Sequence, residues 1–314
     1  MNIYFLIVAK VYIFCCIFAG MKLQTPVADA QCKVGISYDD KITMLGSCFS
    51  DNVGKLLSNI GFDVCVNPFG TLYNPISILR SIERLINIRP FTEKDCIQIG
   101  AGDERYCSFS HHTSFARAGR EEFLNNANQA LQKAAQHFAE STKVIITLGT
   151  SWCFEHKDSQ NVVSNCLKRP AAEFERIRLT SEQVYHTLGQ IMDLCRQAES
   201  DKFKHKEFIF TVSPIRHFKD GAHGNLISKA GLLLGIEEVL SADNADYFPS
   251  YEIMMDELRD YRFYAEDMCH PTSQAVDYIC ERFLTWALPA KERTKLEDNI
   301  RMYKKSSHII QGLR

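Results

Sequence analysis

Ile42-Thr43-Met44-Leu45-Gly46-Ser47-Cys48-Phe49-Ser50-Asp51 changes pattern twice within a few residues. Ile42 to Leu45 is a short apolar run of the kind that forms a buried strand, and Gly46 breaks it. From Ser50 onward, Val53, Leu56, Leu57 and Ile60 recur at the i, i+3, i+4, i+7 spacing of an amphipathic helix. Asp39-Asp40-Lys41 upstream marks the turn before the strand. Strand, small-residue turn and helix start, in that order, carry a side chain to the carboxyl edge of a sheet, where open α/β proteins bind their ligands. Ser47 stands where the unpaired amides of a first helical turn favour developing negative charge. On these residues alone, Ser47 or Ser50 as a plain N-cap is the simpler reading.

Near the other end, Asp267-Met268-Cys269-His270-Pro271 sets a carboxylate three residues before an imidazole. Pro271 disfavours helical geometry at His270, which puts the pair on a loop just before a helix starting near Ser273. From there Asp267 can accept the Nδ1–H of His270 and leave Nε2 to take a proton from a serine hydroxyl. An Asp-x-x-His alone is weak evidence. Joined to Ser47, it points to a serine hydrolase or transferase whose triad is split between the chain ends.

Between these ends the pattern alternates. Phe62 to Val66 reads as a strand running into the loop Asn67-Pro68-Phe69-Gly70-Thr71-Leu72-Tyr73-Asn74-Pro75, then a helix to Asn87. Arg105 to Ser110 reads as a strand followed by His111-His112, of which at most one faces a site, and 119–140 as a long helix. Lys143-Val144-Ile145-Ile146-Thr147-Leu148 is a buried strand ending in Gly149-Thr150, and Phe208-Ile209-Phe210-Thr211-Val212 is another, leading to Ser213-Pro214-Ile215-Arg216-His217. Helices follow at 180–198, 225–240, 252–259 and 275–288, with a short strand and turn at 246–251. About five strands alternating with helices predict an α/β fold, a parallel sheet covered on both faces. The stretch 213–265 is expected as an insertion or lid beside the site, and 289–314 as a charged helix or tail. Gly70 and Gly149 or Thr150, on loops after strands, are candidate oxyanion donors. Arg216 and His217 are candidates for an anionic substrate group, with a structural ion pair for Arg216 equally in view.

In 314 residues, 46% hydrophobic and 24% charged, there is material for a full core, and a net charge of −2 argues against a nucleic-acid binder. The 12 cysteines lie scattered apart from Cys15-Cys16, with no C-x-x-C. That pattern predicts no metal site and no cofactor, and fits a reducing compartment better than a disulfide framework. The expected location is cytoplasmic. Against it stands the apolar run 3–19, interrupted by Lys10, which reads as an export or anchoring signal or as a twenty-residue extension before a start at Met21.

With these segments placed, the chain resembles the GSCFA family, whose Gly-Ser-Cys-Phe motif stands here as Gly46-Ser47-Cys48-Phe49. Asn67-Pro68-Phe69-Gly70-Thr71, Leu148-Gly149-Thr150, Val212 to His217, Tyr247 to Glu252 and Asp267 to Pro271 look like further family blocks, so the resemblance covers roughly 21–288. It implies an SGNH/GDSL-like three-layer α/β/α sandwich with five parallel strands. Ser47 would be the nucleophile, with Asp267 and His270 completing the triad. A histidine of the family pattern falls at Leu167 here, and the oxyanion asparagine of SGNH enzymes falls at Thr150. The hole is then expected from the amides of Ser47 and Gly70 together with Thr150. His112, at a family histidine, joins Arg216 and His217 as a substrate-binding candidate. The expected activity is hydrolysis or transfer of an acyl ester, for instance an acetyl ester on a carbohydrate or cell-wall component. The competing expectation is a non-catalytic carbohydrate-binding or cell-wall-binding module on the same scaffold. Cys48 as nucleophile is a variant, with inward packing expected for it instead. The partner is a small-molecule or glycan ester, with no nucleic acid, and a membrane only if 3–19 is an anchor.

Overall fold

The computed structural model describes residues 25–312 except 29, 31 and 243, so the apolar run 3–19 lies outside the described residues. In chain order the main elements are β1 (Lys41–Gly46), α1 (Cys48–Asn59), β2 (Asp63–Val66), α2 (Pro75–Asn87), α3 (Arg120–Glu140) and β3 (Lys143–Leu148). They continue with α4 (Ser181–Ala198), β4 (Glu207–Val212), α5 (Gly221–Val239), β5 (Ala245–Phe248), α6 (Ser273–Ala287) and α7 (Arg293–Gly312). The strands form one parallel sheet in the order β5-β4-β3-β1-β2.

The layers follow from side chains alternating across the strands. On one face Leu45, Val144, Ile146, Phe208 and Phe210 pack against Ile78 and Ile82 of α2, Phe123 and Leu131 of α3, Leu188 of α4 and Leu232 of α5. On the other, Met44, Ile145, Ile209 and Phe248 meet Phe49, Val53 and Leu57 of α1 and Ile279 and Phe283 of α6. Because β1, β3 and β4 are buried on both faces, they carry apolar runs rather than a polar alternation. The result is the three-layer α/β/α sandwich. From β1 the chain first builds outward to β2, then crosses back to β3 on the other side, so the sheet's switch point lies between Gly46 and Leu148. Crevices for ligands form at such a point.

Two expectations are corrected. The stretch 213–265 is no insertion: it supplies α5, which covers the sheet, and β5, its edge strand. Buried Asp246 in that strand accepts the amides of Lys33 at 2.6 Å and Val34 at 3.3 Å. Beyond β3, Trp152–His156, Asn161–Val163 and Phe174–Arg178 make a three-stranded antiparallel sheet. The segment expected as a helix over 252–259 is a single helical turn followed by a wider π turn, Ile253–Glu257. All ten cysteines among the described residues are free thiols, and no helix there is long and apolar enough to cross a membrane.

His111 sits inside the first core cluster, ringed by Phe69, Phe91, Phe115 and Phe123, with Nδ1 2.7 Å from Ser108 Oγ. Burial, with the Arg84 charge adding, pushes its pKa down to about 3. Between that value and the ordinary one near 6.5 the unfolded chain binds the extra proton, so stability falls as pH drops through this window. The slope is about 1.4 kcal/mol per pH unit for one group. Urea unfolding should show lower stability at about pH 5 than at 7, and His111→Phe should narrow that gap. An unchanged gap would place the acid sensitivity elsewhere.

Candidate active site

β1 ends at Gly46 in a conformation with φ of +146, paired with Thr147 of β3. Ser47 follows in extended geometry as the N-cap of α1, its Oγ accepting from Phe49 N at 3.3 Å while its own N–H donates to Thr147 O at 3.1 Å. The hydroxyl proton of Ser47 has no acceptor among the described residues. Asn67 holds this turn from the neighbouring loop: its Oδ1 accepts Gly46 N at 2.8 Å and its Nδ2 donates to Asp51 Oδ1 at 2.6 Å. Asn67 itself takes a left-handed conformation, φ +42, which asparagine tolerates better than most residues.

Asp267 and His270 come together as the spacing predicts. Asp267 Oδ1 accepts the amides of Cys269 and His270, both at 2.9 Å, and Oδ2 lies 2.5 Å from His270 Nδ1. These bonds to the charged form hold the Asp267 carboxyl down at about 2. The loop is tied to the same sheet edge as Ser47, because Arg216 N, on the segment after β4, donates to Cys269 O at 3.1 Å. Among the described residues no hydrogen bond joins Ser47 to His270.

Around them stand groups of differing promise. His217 has a buried Nε2 without a partner among the described residues, and its ring lies edge-on to Tyr73 at 6.0 Å. Burial, with the Lys229 and His270 charges adding, pushes its pKa down to about 4, so it is neutral at neutral pH. Arg216 stacks over Phe218 at 4.4 Å and Tyr264 at 5.7 Å rather than forming an ion pair. His112 caps a short turn, its Nδ1 accepting from Ser114 N at 3.3 Å, and it lies near the Asp51 carboxyl, which burial pushes up against the opposing hydrogen bond from Asn67. Leu167, at the position where the resemblance implies a histidine, is fully buried in the core.

The amide donors expected for the oxyanion need correction. Ser47 N is spent on Thr147 O, Gly70 N on Asn67 O at 2.7 Å and Thr150 N on Tyr73 O at 2.9 Å. An amide that already donates within the fold has no proton left for a reacting oxygen. The Thr150 hydroxyl is 3.0 Å from Ser228 Oγ. What the turn does leave is Cys48 N–H: at the first position of α1 it has no intrahelical acceptor and meets none on another residue among those described. The Cys48 thiol is pushed up by burial and then by the Asp51 charge, which opposes the thiolate a cysteine nucleophile would need.

Lys229 is the residue that the spacing did not reveal. It sits on α5, fully buried, and donates to Gly149 O and Ser213 O, both at 2.8 Å, so it clamps the carboxyl ends of β3 and β4 together. Burial pushes its pKa down to about 7, opposed by nearby Cys48. A lysine among the apolar residues of a helix was the available signal. Among the described residues, no group of three or more His, Cys, Asp or Glu side chains stands close enough to hold a metal ion.

No curated protein matches the chain. The family model for the GSCFA family matches residues 41–283, which takes in Ser47, the whole sheet and the Asp267–His270 loop. With most of its length covered by that match, the chain belongs to the GSCFA family.

Proposed function

We propose that the protein is a serine-dependent ester hydrolase or acyltransferase of the SGNH type. Membership of the GSCFA family supports the hydrolase-like reading in general terms. The observation that carries it is the Asp267 carboxylate locked onto Nδ1 of His270, on the sheet edge where Ser47 presents an uncommitted hydroxyl proton. His270 Nε2 takes that proton as Ser47 Oγ attacks the ester carbonyl, and Asp267 stabilises the imidazolium. The developing oxyanion is met by Cys48 N–H at the α1 N-terminus, with the field of the helix behind it. Collapse of the tetrahedral adduct returns the proton to the leaving alcohol; water or an acceptor alcohol then repeats the cycle on the acyl-enzyme.

A fluorophosphonate probe should attach to Ser47 in the folded full chain and fail to attach in a His270→Ala variant. A folded sample with no adduct on Ser47 would overturn the assignment. Burial of Ser47, with no bond to His270, keeps the binding-module reading in play. That reading gains if a glycan binds equally to the parent and Ser47→Ala while the parent turns over no ester.

A further inference from the structure

A cleft of ≈ 690 Å³ opens between α2, the loop after it and the segments around Ser110 and Asn161; Ser47, Asp267 and His270 do not line it. Its volume lies within the range of about 300–1,000 Å³ common to small-molecule sites.

Its charge is unbalanced. Arg80, Arg84, Arg89 and Lys94 line it against Glu83 and Asp95. Arg84 and Asp95 satisfy each other at 3.4 Å, with Arg84 also donating to Arg89 O and lying over the Phe91 ring. Arg80 donates only to neutral acceptors, Val162 O at 2.5 Å and Asn161 Oδ1 at 3.1 Å, and forms no direct ion pair among the described residues, with the Glu83 and Glu155 charges nearby. Arg89 and Lys94 are exposed and form no ion pair among the described residues. Three cations therefore face one carboxylate.

The second observation is a hydroxyl. Ser77 lines the cleft at 1% exposure, and its Oγ has no hydrogen-bond partner among the described residues. Its backbone is fully served, N–H by Asn74 Oδ1 at 2.9 Å and C=O by Ser81 Oγ at 2.9 Å. Buried polar atoms are almost always paired, so an unpaired one that lines a cleft leaves a hydroxyl open to water, an ion or a bound group. Ser110, Ser159 and Ser164 add further hydroxyls along the walls. A wall of hydroxyls with a surplus of guanidinium and ammonium fits a polyhydroxylated anion. A flat apolar ligand would leave these groups unpaired.

We propose that this cleft is a binding site for an anionic sugar, one that carries a phosphate or a carboxylate. The site is independent of the chemistry at Ser47. The test is calorimetric titration of the full chain with glucose 6-phosphate, glucuronate, glucose and inorganic phosphate. At least one of the two anionic sugars should bind, about tenfold or more tighter than glucose and than phosphate alone. Whichever binds distinguishes phosphate from carboxylate recognition. Arg89→Ala combined with Lys94→Ala, both exposed positions, should weaken it at least about fivefold without lowering the melting temperature. Ser77→Val should weaken it as well, and Ser47→Ala should leave it unchanged. No binding of either anionic sugar at about 10 mM, equal binding of phosphate alone, or affinity untouched by the double substitution would overturn the proposal.

Discussion

Gly46→Ala should cost more stability than any other single methyl group added to this sheet, with loss of soluble protein as the expected outcome. A Cβ at position 46 would lie 2.2 Å from Thr147 O, 2.8 Å from Thr147 C and 2.9 Å from Thr147 N. All three are backbone atoms of the adjacent strand, so no rotamer change relieves the contact. The φ of +146 adds strain of its own, since a residue with a Cβ rarely occupies that region. Relief requires β1 to move away from β3 at the point where Ser47 N donates to Thr147 O and Asn67 receives Gly46 N. The expected cost is at least about 4 kcal/mol, in the range reached only when a named structural element breaks. Gly189→Ala is the matched control: that glycine lies within α4 with no atom within 4 Å of the added carbon, so alanine there should gain about 0.5–1 kcal/mol. Soluble yield and thermal melting of the two variants decide the matter. A Gly46→Ala protein melting within a few degrees of the parent would mean that the turn is not held as described.

That turn also shows why part of the molecule was legible in advance and part was not. β1, β3 and β4 are buried on both faces, so their runs of Ile, Val, Leu and Phe announce them. β5 is an edge strand of only four residues with Asp246 inside it, and the amides that satisfy this carboxylate come from Lys33 and Val34, far away in the chain. No local pattern encodes such a partner, which is why the stretch around it read as an insertion. Phe174–Arg178 is largely exposed and charged, and its strand identity comes from pairing with Trp152–His156 rather than from any apolar run. At the candidate site, the Ser47 N-cap and the Asp267–His270 contact were readable because each rests on local spacing, to Gly46 and to Pro271. Which amides are already engaged was not readable, because that depends on register: Ser47 N is spent only because Gly46 pairs with Thr147. Lys229 was missed for a related reason, since a lysine reads as solvent-facing until a buried carbonyl pair is found for it.

The largest kinetic effect should come from Ser47→Ala, measured with p-nitrophenyl acetate as the probe ester. Loss of the nucleophile should lower kcat by about 10^4-fold to 10^6-fold, with His270→Ala in the same range. In the proposed mechanism the two act as one unit, the hydroxyl attacking only as the imidazole takes its proton; the double variant should therefore be no slower than either single one. Ser47 also caps α1, so alanine there costs about 1 kcal/mol of stability and lowers the melting temperature by a few degrees, far too little to explain the lost rate. Asp267→Asn should keep the fold but lose up to about 10^4-fold in kcat, because an amide in place of the carboxylate leaves the imidazolium uncompensated and favours the wrong tautomer. Held down at about 2 by the bonds it accepts, Asp267 stays charged across the working range, so an acid limb of the rate profile above about pH 4 does not belong to Asp267. Cys48→Ala should retain most of the activity, since its thiol is pushed away from ionisation and the proposed mechanism uses only its backbone N–H. A Ser47→Ala protein with more than about a tenth of the parent rate, or a double variant whose losses multiply, would remove the coupled Ser47–His270 pair from the mechanism.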